Sequence, residues 1–212
     1  ETPQCDDSDW SIGEDGAENR YLAFTIAPDG GLNVTDKTTS HTYEGLHHFV
    51  DVEDAGDEYT YCPASESESV STVGREAQIT RVVSGPCLVR FRIEWILHVP
   101  VALEENRQRR MTQRVQLPIV FTVTLYRDQP GLFIETEVDN RAKDHKLTVN
   151  FPVDLNPAQV HVDESFMMMA RDIDLPPSEG WVEDPTPLMH QRAFTDISDG
   201  QRGLAVLNRG LP

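Results

Sequence analysis

The chain has 212 residues, a hydrophobic fraction of 38% and a formal net charge of −18. This length and composition are typical of a soluble globular protein with a sizeable core, built as one large all-β domain or two small domains. The acidic excess repels phosphate groups, so it argues against nucleic acid and anionic membranes as partners. It suits a neutral ligand such as a sugar, or a cation, although most of this charge is expected to be solvated surface.

The three cysteines, Cys5, Cys62 and Cys87, are odd in number and widely spaced. This pattern is neither a disulfide framework nor a zinc knuckle, and it indicates a reducing compartment, the cytoplasm, with buried or inert thiols. No signal peptide is visible, and no apolar run approaches the roughly 18 residues of a membrane span. The chain begins without methionine and ends after a strand-like run, so we expect a piece of a longer polypeptide.

The first stretch, residues 1–17, is acidic, contains glycines and shows no periodicity, which predicts a linker or a frayed end. Strand signals then begin, because large apolar residues recur at every second position of RYLAFTI. The sequence Pro28-Asp29-Gly30-Gly31 is typical of a turn, since Asp offers side-chain hydrogen bonds and Gly a positive φ. GLNVTD then starts a return strand, so a hairpin is predicted.

The clearest predicted strand is CLVRFRIEWILHV, whose 13 residues alternate with period two. Its inward face carries Cys87, Val89, Phe91, Ile93, Trp95, Leu97 and Val99. The next strand, VQLPIVFTVTLY, has an inward face of Val115, Leu117, Ile119, Phe121, Val123 and Leu125. Pro118 lies on its other face and cannot donate to a ladder, so an edge or a bulge is predicted there.

The later strands are predicted in LFIETEVDN, KLTVNFPV, QVHVDESFMMMAR and GLAVLN. No window shows a helical stripe, and no internal repeat is found. The predicted fold is therefore all-β, a large antiparallel β-sandwich of long, curved strands over residues 18–212. Strands of this length favour a large sandwich over the seven-strand immunoglobulin type.

The acidic segment DVEDAGDEYTY, residues 51–61, places five carboxylates in eight positions and then two tyrosines. As a calcium loop it fails, because Ala55 and Cys62 occupy ligand positions of an EF-hand. As a self-sufficient glycosidase pair it needs two carboxylates about 5 to 10 Å apart across a cleft, and no second acidic cluster is evident. A third interpretation uses Tyr59 and Tyr61, because aromatic rings stack on sugar C–H faces while carboxylates bind hydroxyls. Such a loop is typical of a partial site completed by a neighbouring domain.

Histidines are weaker candidates. His47 and His48 are adjacent, so in a strand they point to opposite faces and cannot easily bind one ion together. His161 and Asp163 share a face, but nothing completes a ligand set, so structural roles are expected and no metal site is predicted in this chain. No Gly-x-Ser-x-Gly, phosphate-loop or dinucleotide motif occurs, which disfavours the common hydrolase and nucleotide-binding classes.

The run ENRYLAFTIAPDGGLNVTDKTTSHTYEGLHHFVDVEDAGDEYTYCP resembles the start of the C-terminal β-domain of family 38 glycoside hydrolases, the retaining α-mannosidases. The shared pattern is carried by Asn19, Tyr21, Gly31, Leu32, Asp36, Lys37, Tyr43, Asp51, Asp54, Gly56, Asp57, Tyr59, Tyr61 and Pro63. The tail from HVDESFMMMAR onward also resembles this family, in particular its bacterial α-mannosidase and mannosylglycerate-hydrolase branch. The similarity covers about Glu18 to Pro212.

The resemblance implies a supersandwich like that of galactose mutarotase, which packs on an N-terminal catalytic β/α barrel outside this chain. That barrel carries the nucleophile, the acid/base and a zinc ion in the family, so zinc is expected there and no cofactor here. The β-domain lends a tyrosine to the sugar site, by position Tyr59, and Asp57, Asp54 and Tyr61 are the next candidates for contacts with an α-mannoside. The chain alone is expected to be inactive, and apolar surface left uncovered would let copies self-associate.

The segment is more acidic here than in the animal members of the family. Asp51, Glu53 and Glu58 are therefore either structural, for example in ion pairs with arginines, or functional.

Two other functions remain open at this point. A free-standing carbohydrate-binding module predicts sugar affinity in the isolated chain, whereas half of a shared site binds weakly. A mutarotase-like epimerase needs a histidine and a glutamate that converge in the groove of the sandwich, for which His98, His161 and Glu94 are available.

Overall fold

The computed structural model describes residues 9–57, 59–182 and 185–209. Within these ranges the regular elements are β-strands, and every strand pair is antiparallel, which confirms the predicted fold class. The chain divides into two compact units, Glu1–Pro152 and Val153–Pro212. None of the described segments forms a helix of the length and apolarity needed to cross a membrane. The single domain predicted for residues 18–212 stays a prediction.

The described residues of the first unit form three antiparallel sheets. The five-stranded sheet has the order β1 (Ser11–Ile12), β2 (Gly16–Glu18), β3 (Leu22–Ile26), β4 (Leu32–Asp36) and β5 (His41–Leu46). The four-stranded sheet has the order β11 (Leu132–Val138), β10 (Arg114–Tyr126), β9 (Leu88–Pro100) and β8 (Gln78–Ser84). The three-stranded sheet has the order β12 (His145–Asn150), β6 (His48–Glu53) and β7 (Val70–Ser71).

The core of this unit lies against one face of β9 and β10, as their period-two pattern predicted. The buried residues of that face are Val89, Phe91, Ile93, Trp95, Leu97, Val99, Leu117, Ile119, Phe121, Val123 and Leu125. Phe24 of β3 packs edge-on against Phe91, with 5.9 Å between ring centroids, and Phe49 of β6 packs against Trp95 at 5.8 Å. The other two sheets therefore cover the four-stranded sheet, and each buried side chain contributes about 1.5–3 kcal/mol.

Strand β10 is paired on both sides and shows no bulge at Pro118, but its ladder with β11 begins only at Ile119, so Pro118 itself lies at a local edge, one of the two predicted outcomes. It pairs with Ile96 of β9 in unbroken register. On the other side its carbonyl accepts a hydrogen bond from the backbone amide of Asp139 at 3.1 Å, one residue beyond the end of β11. A backbone N–H at position 118 would also point towards Asp139. The hydrogen bond that proline cannot make is therefore missing only where the ladder between β10 and β11 has already ended.

The N-terminal stretch is not a linker in the part that the structure describes. Strands β1 and β2 lie within it, Gly16 and Ala17 are buried beside β3, and Trp10 donates from Nε1 to the carbonyl of Gly85 at 3.3 Å. Gly16 and Ala17 are small enough to let β2 lie close to β3. They give no hydrophobic periodicity, so the sequence pattern did not predict these strands. The predicted hairpin between β3 and β4 is confirmed, because the two strands pair and the amide of Ala27 donates to the carbonyl of Gly31 across the turn.

In the second unit the described strands form one antiparallel sheet in the order β14 (Met167–Asp172), β13 (Gln159–Glu164), β15 (Phe194–Ser198) and β16 (Gly203–Leu207). The sequence QVHVDESFMMMAR forms the hairpin of β13 and β14 rather than one strand. Phe166 lies at the turn with a φ of 78° and ends the extended run. Among the described residues of this unit, only Val162 and Glu164 are buried.

Candidate functional site

The acidic segment begins on β6 and continues into an irregular loop. Asp51 and Glu53 lie on one face of β6, and both are fully buried. Residues 54–57 and 59–62 follow and are named here the Tyr59 loop. Glu58 lies outside the described residues, so its role stays a prediction. The segment is thus divided between buried carboxylates on a strand and exposed groups on a loop.

Asp51 is neutralised inside the domain. Its Oδ1 accepts a hydrogen bond from Nη2 of Arg110 at 2.5 Å, and its Oδ2 pairs with Nδ1 of His145 on β12. Arg110 also donates from Nη1 to the carbonyl of Glu68 at 3.3 Å. Both carboxylate oxygens therefore have partners within the domain, and the contacts support a structural role.

Glu53 also bonds inward. Its Oε2 accepts a hydrogen bond from the backbone amide of Glu68 at 3.1 Å. Burial alone raises the pKa of Glu53, but hydrogen bonds from Ser67 and from the Glu68 amide, with the charge of Arg110, outweigh it and hold the pKa below its usual value. The carboxylate is thus stabilised in its charged form by the segment that follows the Tyr59 loop.

Asp54 and Asp57 shape the loop. Oδ1 of Asp54 accepts hydrogen bonds from the amides of Gly56 at 2.9 Å and Cys62 at 3.2 Å. Oδ1 of Asp57 accepts from the amides of Tyr59 at 2.9 Å and Thr60 at 2.8 Å. These are Asx-type turns, in which a carboxylate replaces a backbone acceptor. The bonds from Tyr59 and Thr60 hold the pKa of Asp57 below its usual value, so its charge is present at neutral pH.

The two tyrosines of the loop have different environments. Tyr59 is 88% exposed. Tyr61 is only partly exposed, and Nζ of Lys146 on β12 lies 3.2 Å from its ring centroid in a cation–π contact. Burial, with the nearby carboxylates of Glu53 and Asp54, raises the pKa of the Tyr61 hydroxyl. Tyr61 therefore packs on the domain, whereas Tyr59 is presented outward.

Backbone bonds join the loop to the neighbouring strand. The amide of Asp54 donates to the carbonyl of Asp144 at 2.9 Å, and the amide of Ala55 donates to the carbonyl of Cys62 at 2.7 Å. Asp144 directly precedes β12, which pairs with β6 in the register His145 to Glu53. The loop is thus closed on itself and attached at its base.

Sequence reasoning missed the residues that support this site. Arg110 and His145 bond to Asp51 from 59 and 94 positions away. Lys146, 95 positions from Asp51, contacts Tyr61 of the loop. None of the three was predicted from the sequence. A basic residue far along the chain gives no local signal of its partner. The pairing of β6 with β12 brings His145 and Lys146 to this segment, and the β9–β10 connection brings Arg110.

The two histidines have separate surroundings, although they do not share a strand as expected, because His47 lies between β5 and β6 with a φ of 66°. His47 is buried against Phe49, Phe121 and Phe151, with centroid distances of 5.2, 4.3 and 5.5 Å. His48 instead places Nδ1 3.2 Å from the hydroxyl of Thr72. The described residues contain no group of three or more His, Cys, Asp or Glu side chains arranged to hold a metal ion.

The histidine and glutamate of the epimerase alternative do not converge on β9. Glu94 and His98 lie on its outer face four residues apart, and Glu94 is paired with Arg92. His161 belongs to β13 in the second unit and pairs across the sheet with Ala170 and Asp196. No observation favours that reaction.

The thiol prediction is partly wrong. Cys62 and Cys87 are free, but both are exposed rather than buried, while Cys5 lies outside the described residues. Cys62 belongs to the Tyr59 loop, and Cys87 precedes the first residue of β9, so neither is inside the buried alternation.

Comparisons with known proteins identify the family of the chain. The family model described as the glycosyl hydrolases family 38 C-terminal domain matches residues 17–211. A protein of Halalkalibacterium halodurans named "Putative mannosylglycerate hydrolase" is 26% identical over 208 residues, which cover 92% of this chain and 23% of that protein.

Two solved structures from Enterococcus faecalis are also similar. An alpha-mannosidase of strain V583 superposes with a TM-score of 0.86 at 28% identity, covering 92% of this chain and 23% of its own. A protein of glycosyl hydrolase family 38 superposes with a TM-score of 0.78 at 26% identity, covering 87% of this chain and 23% of its own. The chain spans 23% of the length of these relatives. It belongs to glycosyl hydrolase family 38, of which it represents the C-terminal domain.

Proposed function

From this family membership we propose that the chain is the part of an α-mannoside hydrolase that presents the Tyr59 loop to the sugar. The relatives are named as an alpha-mannosidase and a mannosylglycerate hydrolase, so an α-mannoside is the substrate class that both names share. The remainder of the polypeptide would supply an N-terminal catalytic barrel, on which this domain packs. Hydrolysis with retention of configuration is part of the proposal.

The observation that carries the proposal is the exposure of Tyr59 on a loop with a defined shape. The residue is 88% exposed, yet its backbone amide donates a hydrogen bond to Oδ1 of Asp57 at 2.9 Å. An aromatic ring is suited to stack on the apolar C–H face of a sugar, and its hydroxyl can bond to a ring substituent. A ring held outward in this way is available to a ligand bound by a neighbouring domain.

In this proposal the acidic residues of the loop have a second role, in addition to shaping the loop. Asp54 and Asp57 each use Oδ1 to bond loop amides. Their Oδ2 atoms would accept hydrogen bonds from sugar hydroxyls or from residues of the catalytic part. Tyr61, packed under Lys146, would keep the base of the loop in place.

The reacting groups are assigned to the rest of the polypeptide. Zinc, which we propose for that part, would supply a positive charge that holds sugar hydroxyls. The described residues of this chain offer no ligand set for it, so its own contribution is to bind and orient the sugar. We accordingly propose that the chain alone is inactive.

The test is the hydrolysis of 4-nitrophenyl α-mannoside by the full-length enzyme with Tyr59→Phe and Tyr59→Ala. Tyr21→Ala is a matched control, because its ring lies against Arg20, 4.7 Å from the guanidinium carbon. Tyr59→Ala is expected to lower kcat/KM about 10-fold or more, which corresponds to about 1.4 kcal/mol. Wild-type values for both folded Tyr59 variants would reject the proposal.

A second measurement separates this role from that of a free-standing carbohydrate-binding module. The isolated chain is titrated calorimetrically with mannose and methyl α-mannoside. A half-site lacks most of the polar contacts, so no saturable binding is expected up to about 10 mM. Saturable binding in the micromolar range would favour the binding module.

A further inference from the structure

The connection between β9 and β10 carries an arginine in a strained position. Residues 101–113 fold back as a loop in which Leu103 and Arg110 form an isolated bridge. Arg107 lies at its tip with a φ of 55°, and its amide donates to the carbonyl of Glu104 at 2.8 Å. A positive φ is uncommon for a residue other than glycine, so the surrounding contacts must hold this conformation.

Arg107 reaches the Tyr59 loop with its guanidinium. Nη2 lies 3.2 Å from the carbonyl oxygen of Gly56 and 3.5 Å from that of Asp54. Nη1 pairs with Oδ1 of Asp144 at 3.2 Å. One side chain thus bonds to the backbone of the loop and to the residue that precedes β12.

Asp144 joins the same three segments from the other side. Its Oδ2 accepts a hydrogen bond from the amide of Leu103 at 3.3 Å, and its carbonyl accepts one from the amide of Asp54 at 2.9 Å. It also has a positive φ, of 51°. The β9–β10 connection, the start of β12 and the Tyr59 loop therefore meet at Arg107 and Asp144, although these contacts join residues 37 to 90 positions apart in sequence.

We propose that Arg107, held by Asp144, is a positioning residue that fixes the Tyr59 loop in the shape that presents Tyr59. Arg107 acts through the backbone at Gly56, next to Asp57, whose carboxylate holds the amide of Tyr59. A planar guanidinium offers several donors in a fixed fork, whereas an ammonium is a point charge. This inference rests on the proposed function for its effect on catalysis, but the positioning itself is measurable without it.

The ion pair is partly exposed, so it acts locally. The side chains of Arg107 and Asp144 are 46% and 31% exposed. Exposed ion pairs contribute little to global stability, and loops open with small free energies. Removal of Arg107 is therefore expected to loosen the loop while the rest of the domain stays folded.

The experiment uses the full-length enzyme with Arg107→Ala, Arg107→Lys and the control Arg109→Ala. Arg109 lies two positions away in the same connection and pairs with Glu104 at 2.9 Å. Hydrogen exchange measured by mass spectrometry reports on peptides that cover residues 54–62, and steady-state kinetics with 4-nitrophenyl α-mannoside give kcat and KM.

In Arg107→Ala, exchange in these peptides is expected to rise about threefold or more, with unchanged exchange in β9 and β10. Arg107→Lys is expected to rescue this only in part, and Arg109→Ala is expected to match the wild type. KM is expected to rise more than kcat falls, because the loop binds the sugar and does not react with it.

Wild-type exchange at residues 54–62 in Arg107→Ala would overturn the positioning role. Faster exchange that is equal in Arg107→Ala and Arg109→Ala would also overturn it, since the effect would then belong to the connection as a whole. Faster exchange in Arg107→Ala alone, with unchanged kcat and KM, would uphold the positioning and reject the proposed function of Tyr59.

Discussion

Asp51 and Arg110 form an ion pair inside the first unit, with Oδ1 of the carboxylate 2.5 Å from Nη2 of the guanidinium. The two side chains are 0% and 2% exposed. Strand β6 and the β9–β10 connection bring them together across 59 positions of sequence. Both charges have lost their water, so each depends on the other for its stabilisation.

Removal of the cation should therefore destabilise the domain strongly. Arg110→Met is expected to lower the free energy of unfolding by about 3–5 kcal/mol, because the carboxylate of Asp51 stays buried without its main partner. Urea denaturation of the chain, followed by circular dichroism, measures this. Arg141→Met is the matched control: its pair with Asp139 is about half exposed and should contribute less than about 1 kcal/mol. Equal losses in the two variants would contradict the argument.

His47 should make the stability depend on pH. Burial lowers the pKa of His47 from 6.5 to about 4, with repulsion from His48 as a smaller cause. Between these values the unfolded chain binds a proton that the folded chain does not, so stability falls as the pH falls from about 6.5 to about 4. Above this window both states are neutral at this ring, and below it both are charged. The shift corresponds to a loss of about 3 kcal/mol.

The variant His47→Asn tests this, because asparagine tolerates the positive φ of 66° at this position. Urea midpoints are measured from pH 4 to pH 8 for both proteins. The variant should lose the part of the pH dependence that His47 causes, although the removed aromatic contacts lower its stability at every pH. The same slope in both proteins would contradict the prediction.

Gly30 lies in the hairpin between β3 and β4, where both its backbone and its surroundings exclude a side chain. Its φ is 78°, and an added Cβ would lie 2.2 Å from Cζ2 of Trp95 and 2.9 Å from Cγ2 of Ile93. Gly30→Ala is expected to lower the free energy of unfolding by about 2–4 kcal/mol. Gly74→Ala separates the two causes, because φ is 70° there but no atom lies within 4 Å, so only about 1–2 kcal/mol is expected.

Denaturant unfolding of these two glycine variants provides the comparison. A smaller loss for Gly30→Ala than for Gly74→Ala would show that the packing of Trp95 against this turn is not as described.

Phe121 and Phe133 lie on neighbouring strands but on opposite sides of their sheet. Phe121 is fully buried and packs against Phe49 and Trp95, whereas Phe133 is 50% exposed and contacts Tyr126 edge-on at 5.1 Å. Phe121→Ala is expected to cost about 3–5 kcal/mol and Phe133→Ala about 1 kcal/mol or less. The difference is measured from the midpoints of thermal unfolding of the two variants. Similar midpoints would contradict the assignment of the core to the face of the sheet that carries Phe121.

The alternation in β9 and β10 predicted which residues form the core, because the pleat of a strand turns successive side chains to opposite faces. The turn at Gly30 was also evident from residue types. The N-terminal strands were not evident, since two small buried residues carry no periodic signal. At Pro118 the residue type predicted an edge or a bulge, and only the structure decided for a local edge, because this depends on where β11 ends, which is a property of two strands rather than one.

The candidate site was likewise predicted in part from the sequence and decided in part by the tertiary structure. The sequence alone indicated the segment, its carboxylates and the two tyrosines, because residue types and their spacing are short-range properties; the Asx turns of Asp54 and Asp57 came from the structure. Only the tertiary structure decided that Asp51 and Glu53 face inward while Tyr59 faces outward, because Arg110, the Glu68 amide and His145 reach them from distant positions. A charged side chain is stable in a core only beside its partner, and the partner is brought there by the pairing of strands and the path of their connections, which no local pattern encodes.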